Sequence, residues 1–190
     1  MRKLTVFNHV SLDGFIADSA GDMSWAHSAD PEFNDWVQSN ASGGGELVFG
    51  RVTYQQMASF WPTPAALEML PVVAERMNHL PKVVFSKTLA KAEWHNTRLF
   101  RGQDLAREIE QLKRESGQDM VIMGSADLVS QLAARDLVDA WTLVVNPIAL
   151  GSGKSLFAKL SERRTFTLTQ SRTFKNGDVV LSYDRSTQAP

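Results

Sequence analysis

The stretch Glu46-Leu47-Val48-Phe49-Gly50-Arg51-Val52-Thr53-Tyr54 changes its period in mid-course. Glu46 to Phe49 has the short apolar character of a strand, Gly50 interrupts it, and Val52 to Phe60 continues with helical spacing. A strand that turns into a helix is the unit of open α/β sheets, whose ligands lie beyond the carboxyl ends of the strands. Glycine lets the backbone approach a ligand closely, and the free N–H groups of a helix start favour a phosphate. Arg51 supplies a bidentate charged donor and Thr53 a hydroxyl. Taken alone, the same residues also make an ordinary helix start with a solvated arginine.

Two more junctions of this kind lie downstream. Val84-Phe85-Ser86-Lys87-Thr88 ends a strand in two hydroxyl residues around a lysine. Beside Arg51, it would form a cationic pocket for an extra phosphate such as the 2′-phosphate of NADP, although Ser-Lys-Thr is also common loop composition. Val121-Ile122-Met123-Gly124-Ser125-Ala126-Asp127-Leu128 runs from a strand through Gly-Ser into a helix. That is either a further phosphate cradle or a close helix–strand crossing that needs small residues.

The rest of the chain extends the alternation. Leu4 to Val10 reads as a buried strand entering the loop Ser11-Leu12-Asp13-Gly14, with Phe15-Ile16-Ala17 an apolar patch inside that loop. Asp30-Pro31-Glu32 starts a helix bearing Phe33, Trp36 and Val37 on one face, ended by Gly43-Gly44-Gly45. Pro62, Pro64 and Pro71 break up the next stretch, and a helix follows from Val72 to His79. Lys82 to Phe85 is a strand, Leu99 belongs to a weak one, and Asp104 to Glu115 is an amphipathic helix. Met120 to Met123, the helix Ala126 to Ala134 and the alternating strand of Asp139 to Pro147 come next. Phe166 to Thr169 and Val179 to Tyr183 flank Asn176-Gly177, a hairpin signal. The reading is one α/β domain over residues 1–185, a mostly parallel sheet with helices on both faces and an antiparallel edge, and a disordered tail at 186–190.

Composition narrows the function. The chain has 190 residues, 43% hydrophobic and 22% charged, with a formal net charge of -1. No overall positive field supports nucleic-acid binding, and no apolar run approaches the roughly 18 residues of a membrane span. The start Met1-Arg2-Lys3 leads into a strand and not a signal peptide, so the expected location is cytoplasmic. Without cysteine, disulfides, thiolate catalysis and Cys-ligated zinc are excluded. His9, His27, His79 and His95 show no metal spacing and read as structural or exposed. Gly151-Ser152-Gly153-Lys154-Ser155 imitates a P-loop, but the position that must be glycine is Ile148. Lys154 stays a candidate for a substrate anion. Asp13, Glu32 and Asp35 are candidate proton donors. Trp25 and Trp61 are candidate aromatic walls, with core packing the competing role of each.

These segments, in this order, resemble the dihydrofolate reductase superfamily, and within it the riboflavin-biosynthesis reductases of the RibD C-terminal domain family. The resemblance rests on Ser11 to Ala17, Phe49 to Tyr54, Val84 to Lys87, Val121 to Leu128 and Leu150 to Gly153. It implies a dihydrofolate reductase-like fold with a central sheet of about eight strands, NADPH as cofactor, a small-molecule substrate and a homodimer. Gly50, Arg51 and Thr53 would then meet the cofactor's phosphates, Ser86 and Lys87 its 2′-phosphate, and Gly124, Ser125, Ala126 and Leu128 its pyrophosphate. Ile16 and Ala17 would border the nicotinamide. The chain departs from true dihydrofolate reductases in carrying Asn34, with Asp35 beside it, where they carry an acid. The leading expectation is hydride transfer from NADPH to a small polar heterocycle or phosphoribosyl compound, with Asp13 positioning or protonating the substrate and Asp35 as the alternative acid. Rival expectations are a folate reductase proper and a nucleotide-binding module without catalysis.

Overall fold

The computed structural model describes residues 1–28, 30–41 and 45–186. Of the glycine run expected to end the first helix, Gly43 and Gly44 lie outside the described residues, as do positions 187–190 of the tail. Ser186 is held to the body by a hydrogen bond from its N–H to the Thr165 carbonyl at 3.3 Å.

In chain order the elements begin with β1 (Leu4–Ser11), β2 (Phe15–Ala17), α1 (Pro31–Ala41), β3 (Glu46–Gly50) and α2 (Arg51–Phe60). There follow α3 (Pro64–Met69), α4 (Pro71–His79), β4 (Lys82–Phe85), β5 (Thr97–Phe100) and α5 (Leu105–Arg114). The chain closes with β6 (Met120–Ile122), α6 (Ala126–Ala134), β7 (Ala140–Asn146), β8 (Lys154–Ser155), β9 (Phe166–Thr173) and β10 (Val179–Arg185). The main sheet has the order β5-β4-β3-β6-β1-β7-β10-β9. Neighbours from β5 to β7 are parallel, and the β9–β10 hairpin adds an antiparallel edge.

Local chemistry sets the helix boundaries. Asp30 Oδ1 accepts the Phe33 N–H at 2.8 Å, and Asp104 Oδ1 accepts the Arg107 N–H at 3.1 Å, each a side-chain cap. Of the prolines expected to break up the stretch after Trp61, Pro64 opens a helix that was not expected, and Pro71 opens the expected Val72–His79 helix one residue early. Pro64 and Pro71 occupy the first turns of α3 and α4, where a missing N–H costs nothing. One further expectation changes. Phe15 to Ala17 is a strand, because it pairs antiparallel with Lys154–Ser155 in a second, two-stranded sheet. The hairpin signalled by Asn176-Gly177 is present and turns through Lys175, Asn176 and Gly177. The Gly177 N–H donates to the Phe174 carbonyl at 3.0 Å, the Phe174 N–H to the Asp178 carbonyl at 2.9 Å, and Gly177 takes φ 91°.

Period-2 alternation divides the core between the two faces of the sheet. On one, Leu4, Val6, Val48, Val83, Met120 and Ile122 pack under α5 and α6, whose Ile109, Leu112, Val129 and Leu132 are fully buried. Each such side chain is worth about 1.5–3 kcal/mol relative to exposure. On the other face, Leu47, Phe49 and Val84 lie with Tyr54, Val73, Met77 and Trp94 of the α2–α4 side. Val144 and Val180 lie with Phe33 and Phe174 on the α1 side. Between these two clusters run the central strands β1 and β6. Their residues on this face, Thr5, Phe7, His9 and Val121, are only half-buried, as is Met123 just beyond β6, whereas Leu4, Val6, Met120 and Ile122 on the opposite face are sealed. The sheet therefore has a groove along its middle, walled by α1 and α2, with α4 touching α1 across part of it.

Candidate active site

The first and third junctions meet at the top of this groove. The Gly50 N–H donates to the Gly124 carbonyl at 2.9 Å. A methyl group on Gly50 would overlap Ser125 Oγ and stand 3.1 Å from the Ser125 nitrogen. Gly124 takes φ +113°, and a methyl group there would lie 3.0 Å from Thr53 Oγ1. The Gly124–Ser125 peptide is cis. Neither N-cap residue, Gly50 for α2 or Ser125 for α6, caps its helix with a side chain, so two sets of first-turn N–H groups stand side by side without such a cap. Thr53 is half-buried, with its hydroxyl over Gly124. Ala126 and Leu128 are buried in the core, so only their backbone N–H groups are available to a ligand.

The second junction lies beside the first, since Gly50 and Phe85 are register partners. Ser86 is spent on its own turn: its Oγ accepts the Thr88 N–H at 3.2 Å and the Leu89 N–H at 2.9 Å. Lys87 is exposed, and so is Arg51, whose Nη1 donates to Gln55 Oε1 at 2.9 Å. A third cation, Arg101, stands just past β5 and donates to the Leu89 carbonyl at 2.6 Å. The sequence reading did not name it, because β5 is an edge strand with little apolar signal. Arg51, Lys87 and Arg101 thus follow three adjacent parallel strands, β3, β4 and β5.

The loop after β1 is tied down at Asp13. Its carboxylate accepts the Ser11 hydroxyl at 2.6 Å, the Leu150 N–H at 3.1 Å and the Gly151 N–H at 2.7 Å. These bonds, that of Ser11 foremost, hold the carboxyl down to about 2. Asp13 is therefore a brace between two loops and is ionised at neutral pH. In that state the carboxylate is an acceptor, which fits the positioning alternative of its expected role and not the proton-donating one. The P-loop imitation around Gly151 is the other half of this brace, and a methyl group on Gly153 would overlap the Ala17 carbonyl. Ile16 and Ala17 are buried beneath it. Lys154 is exposed on β8 and lays its ammonium on Gly21, where a Cβ would be 2.9 Å from Nζ.

The other expected donors lie elsewhere. On α1, Phe33 is buried and packs toward the sheet, and Asp35, two residues on, is carried by the helix to the exposed side. Half-buried Asn34 flanks the core face in its place. Glu32 is exposed and pairs with Arg172 at 3.0 Å. Trp25 is half-buried in a turn before α1, its indole N–H donating to the Asp22 carbonyl at 3.3 Å. Trp61 ends α2, roughly 15 Å along the helix axis from Gly50. It donates to Met57 Sδ at 3.0 Å and packs on the apolar cluster under α2, so it is no wall at the strands' carboxyl ends.

The groove floor adds residues that spacing did not reveal. His9, on β1, meets Asn146 at the end of β7 through Nδ1 and Oδ1 at 3.0 Å. Asn146 Nδ2 donates to Asp178 Oδ1 at 2.8 Å, and Asn176 Nδ2 to Asp178 Oδ2 at 2.6 Å. Asp178 and Asn146 are buried. The histidine looked structural in sequence because its partners lie 137 residues away or further.

Comparison with known proteins agrees with this architecture. The model of the RibD C-terminal domain family matches residues 2–180. Uncharacterized protein YyaP of Bacillus subtilis is 27% identical over 184 residues, covering 96% of this chain and 94% of YyaP. Two solved structures share the fold at 14% identity. One is a Thermotoga maritima diaminohydroxyphosphoribosylaminopyrimidine deaminase/5-amino-6-(5-phosphoribosylamino)uracil reductase, with a TM-score of 0.70 over 97% of this chain and 57% of that one. The other is dihydrofolate reductase from Enterococcus faecalis complexed with NADP(H), with a TM-score of 0.62 over 96% of each chain. The expected mostly parallel eight-stranded sheet with its antiparallel hairpin is present, the fold is dihydrofolate reductase-like, and the chain belongs to the RibD C-terminal domain family.

Proposed function

We propose that this protein is an NADPH-dependent reductase that delivers hydride to a small polar heterocycle or phosphoribosyl compound. The observation that carries this reading is the interlock of Gly50 with Gly124-Ser125. It sets two helix starts without side-chain caps next to each other, with Arg51, Lys87 and Arg101 exposed on the adjacent strand ends. Adjacent N–H clusters suit a pyrophosphate, and a group of cations suits a further phosphate such as the 2′-phosphate of NADPH. The bound cofactor would supply the hydride, while the protein supplies orientation and electrostatics. Arg51 and Lys87 would select NADPH, the backbones of Gly124 to Leu128 would follow the pyrophosphate, and Ile16 and Ala17 would border the nicotinamide. The reductase names of the structural neighbours support the reaction class. A reduction of the phosphoribosylamino-pyrimidine type, in a cytoplasmic homodimer, is the form that the family suggests.

A folate reductase is the weaker reading, because α1 offers Asn34 beside the sheet and turns Asp35 outward. Titration calorimetry of the purified chain with NADPH and NADH tests the proposal. The expected result is saturable binding with NADPH at least tenfold tighter. No heat with either cofactor would end the reductase reading.

A further inference from the structure

Resting on the reductase reading above, we propose that His9 is the group that gives the substrate its proton, with Asn146 and Asp178 as its positioning residues. The three residues stand at the end of the sheet where the cofactor cradle lies. His9 is on the half-buried floor of the groove, two positions before β1 ends. Phe7 and Phe33 fix the plane of its ring edge-on, at 6.3 and 5.8 Å between centroids.

The hydrogen bonds behind the ring decide which nitrogen carries the proton. A carboxylate only accepts. Asp178 therefore takes the NH2 group of Asn146, and the Asn146 carbonyl oxygen is left facing His9. That oxygen also only accepts, so Nδ1 must be the N–H that donates to it. The amide cannot flip without setting its oxygen against the Asp178 carboxylate. A second amide holds the carboxylate from the other side: Asn176 Nδ2 donates to Asp178 Oδ2 at 2.6 Å and to Ser28 Oγ at 2.7 Å. Nε2 is consequently the working nitrogen, an acceptor in the neutral ring and a donor in the imidazolium. It has no hydrogen bond among the described residues, and it is not among the buried unpaired atoms, so on this half-buried floor it keeps contact with solvent.

The other floor residues, Thr5, Phe7, Val121 and Met123, carry no acid. Asp13 is ionised and committed to three donors, and Asp35 is on the far side of α1. Reduction of a C=O or C=N bond needs one proton besides the hydride. As the carbon accepts the hydride, the π pair moves onto the heteroatom, which takes the proton from Nε2. The ring becomes neutral and regains a proton from solvent. The charged groups facing the ring are Asp178 from the turn before β10 and His27 from the loop before α1, while α1 itself presents the Phe33 ring. Burial pulls the imidazole below its ordinary pKa; the Asn146 bond and the Asp178 charge work against this, and His27 adds to it. The donor form is thus filled on acidification and emptied as pH rises.

The test uses the full chain with NADPH and 5-amino-6-(5-phosphoribosylamino)uracil as probes. It follows NADPH affinity by fluorescence quenching and NADPH oxidation between pH 5 and 9. For the wild type, kcat should fall about tenfold per pH unit above the ring's pKa. His9→Gln should lower kcat about 100- to 10,000-fold and flatten the profile, with NADPH affinity unchanged. Asn146→Ala should move the profile to lower pH, because a bond that raises the ring's pKa is removed. Ring-nitrogen NMR of the wild type should show the neutral tautomer protonated on Nδ1, independent of any turnover. Wild-type kcat and pH profile in His9→Gln, or a neutral ring protonated on Nε2, would overturn the assignment. A wild type that fails to bind NADPH would overturn the reductase reading itself, a failure visible without any variant.

Discussion

At the amino ends of the strands, Glu46 takes Arg2 at 2.8 Å and Arg98 at 2.9 Å, and Arg98 passes on to Glu115 at 2.9 Å. Lys113 pairs there with Asp139, and Lys82 is sealed with its ammonium on the carbonyls of Asn78 and Leu80 and over the Trp94 ring. At the carboxyl ends of the same sheet Arg51, Lys87 and Arg101 stand exposed, and none of them meets a carboxylate among the described residues. One end spends its charges on itself, and the other keeps them for something else. Buried ion pairs are costly to break, so the amino end is where the fold is locked. Exposed cations contribute little to stability, so their clustering at the carboxyl end is better explained by an anionic ligand.

Substitutions can break this contrast. The largest effect is expected from Glu46→Ala, which strips the partner from buried Arg2. Chemical denaturation should show a loss of about 3–5 kcal/mol, with NADPH affinity unchanged in the protein that remains folded. Next comes Arg51→Ala, which should leave the denaturation midpoint alone and weaken NADPH by about 1.5–3 kcal/mol, with NADH affected far less. Equal weakening of both cofactors in calorimetry would move Arg51 away from the 2′-phosphate. Gly50→Ala sharpens the comparison from the other side. Its methyl group must displace Ser125, so stability should fall by about 1–3 kcal/mol and cofactor affinity should fall with it. A Gly50→Ala protein with wild-type NADPH binding would separate the interlock from the cofactor site.

What could be read from the sequence follows from how local its causes are. The junctions at Gly50, Ser86 and Gly124 were visible because period, glycine and hydroxyl residues lie within a few positions of one another. The two-stranded sheet was not, since β2 and β8 are three and two residues long and are partners across most of the chain. Pro64 was misread because proline both ends and begins helices, and the Thr63 cap on Ala66 marks it as a beginning. Asp35 failed on geometry: neighbouring residues on a helix differ by about 100° in direction, so an acid one place from Asn34 points elsewhere. Asp13 was singled out for its place in the loop after β1, and its three donors are known only from the fold. His9 had no local signal, because its meaning depends on Asn146 and Asp178.

The brace at Asp13 also bears on the order of events when the chain is made. Its carboxylate is satisfied by N–H groups 137 and 138 residues downstream, and long-range contacts of this kind form late. When the first half of the protein has emerged from the ribosome, neither β6 nor β7, the two neighbours of the strand that bears Ser11, has been made, and the loop that follows that strand has nothing to close on. The pocket is therefore completed by the last third of the chain, and a ligand that needs the closed loop will find a binding partner only in the finished molecule.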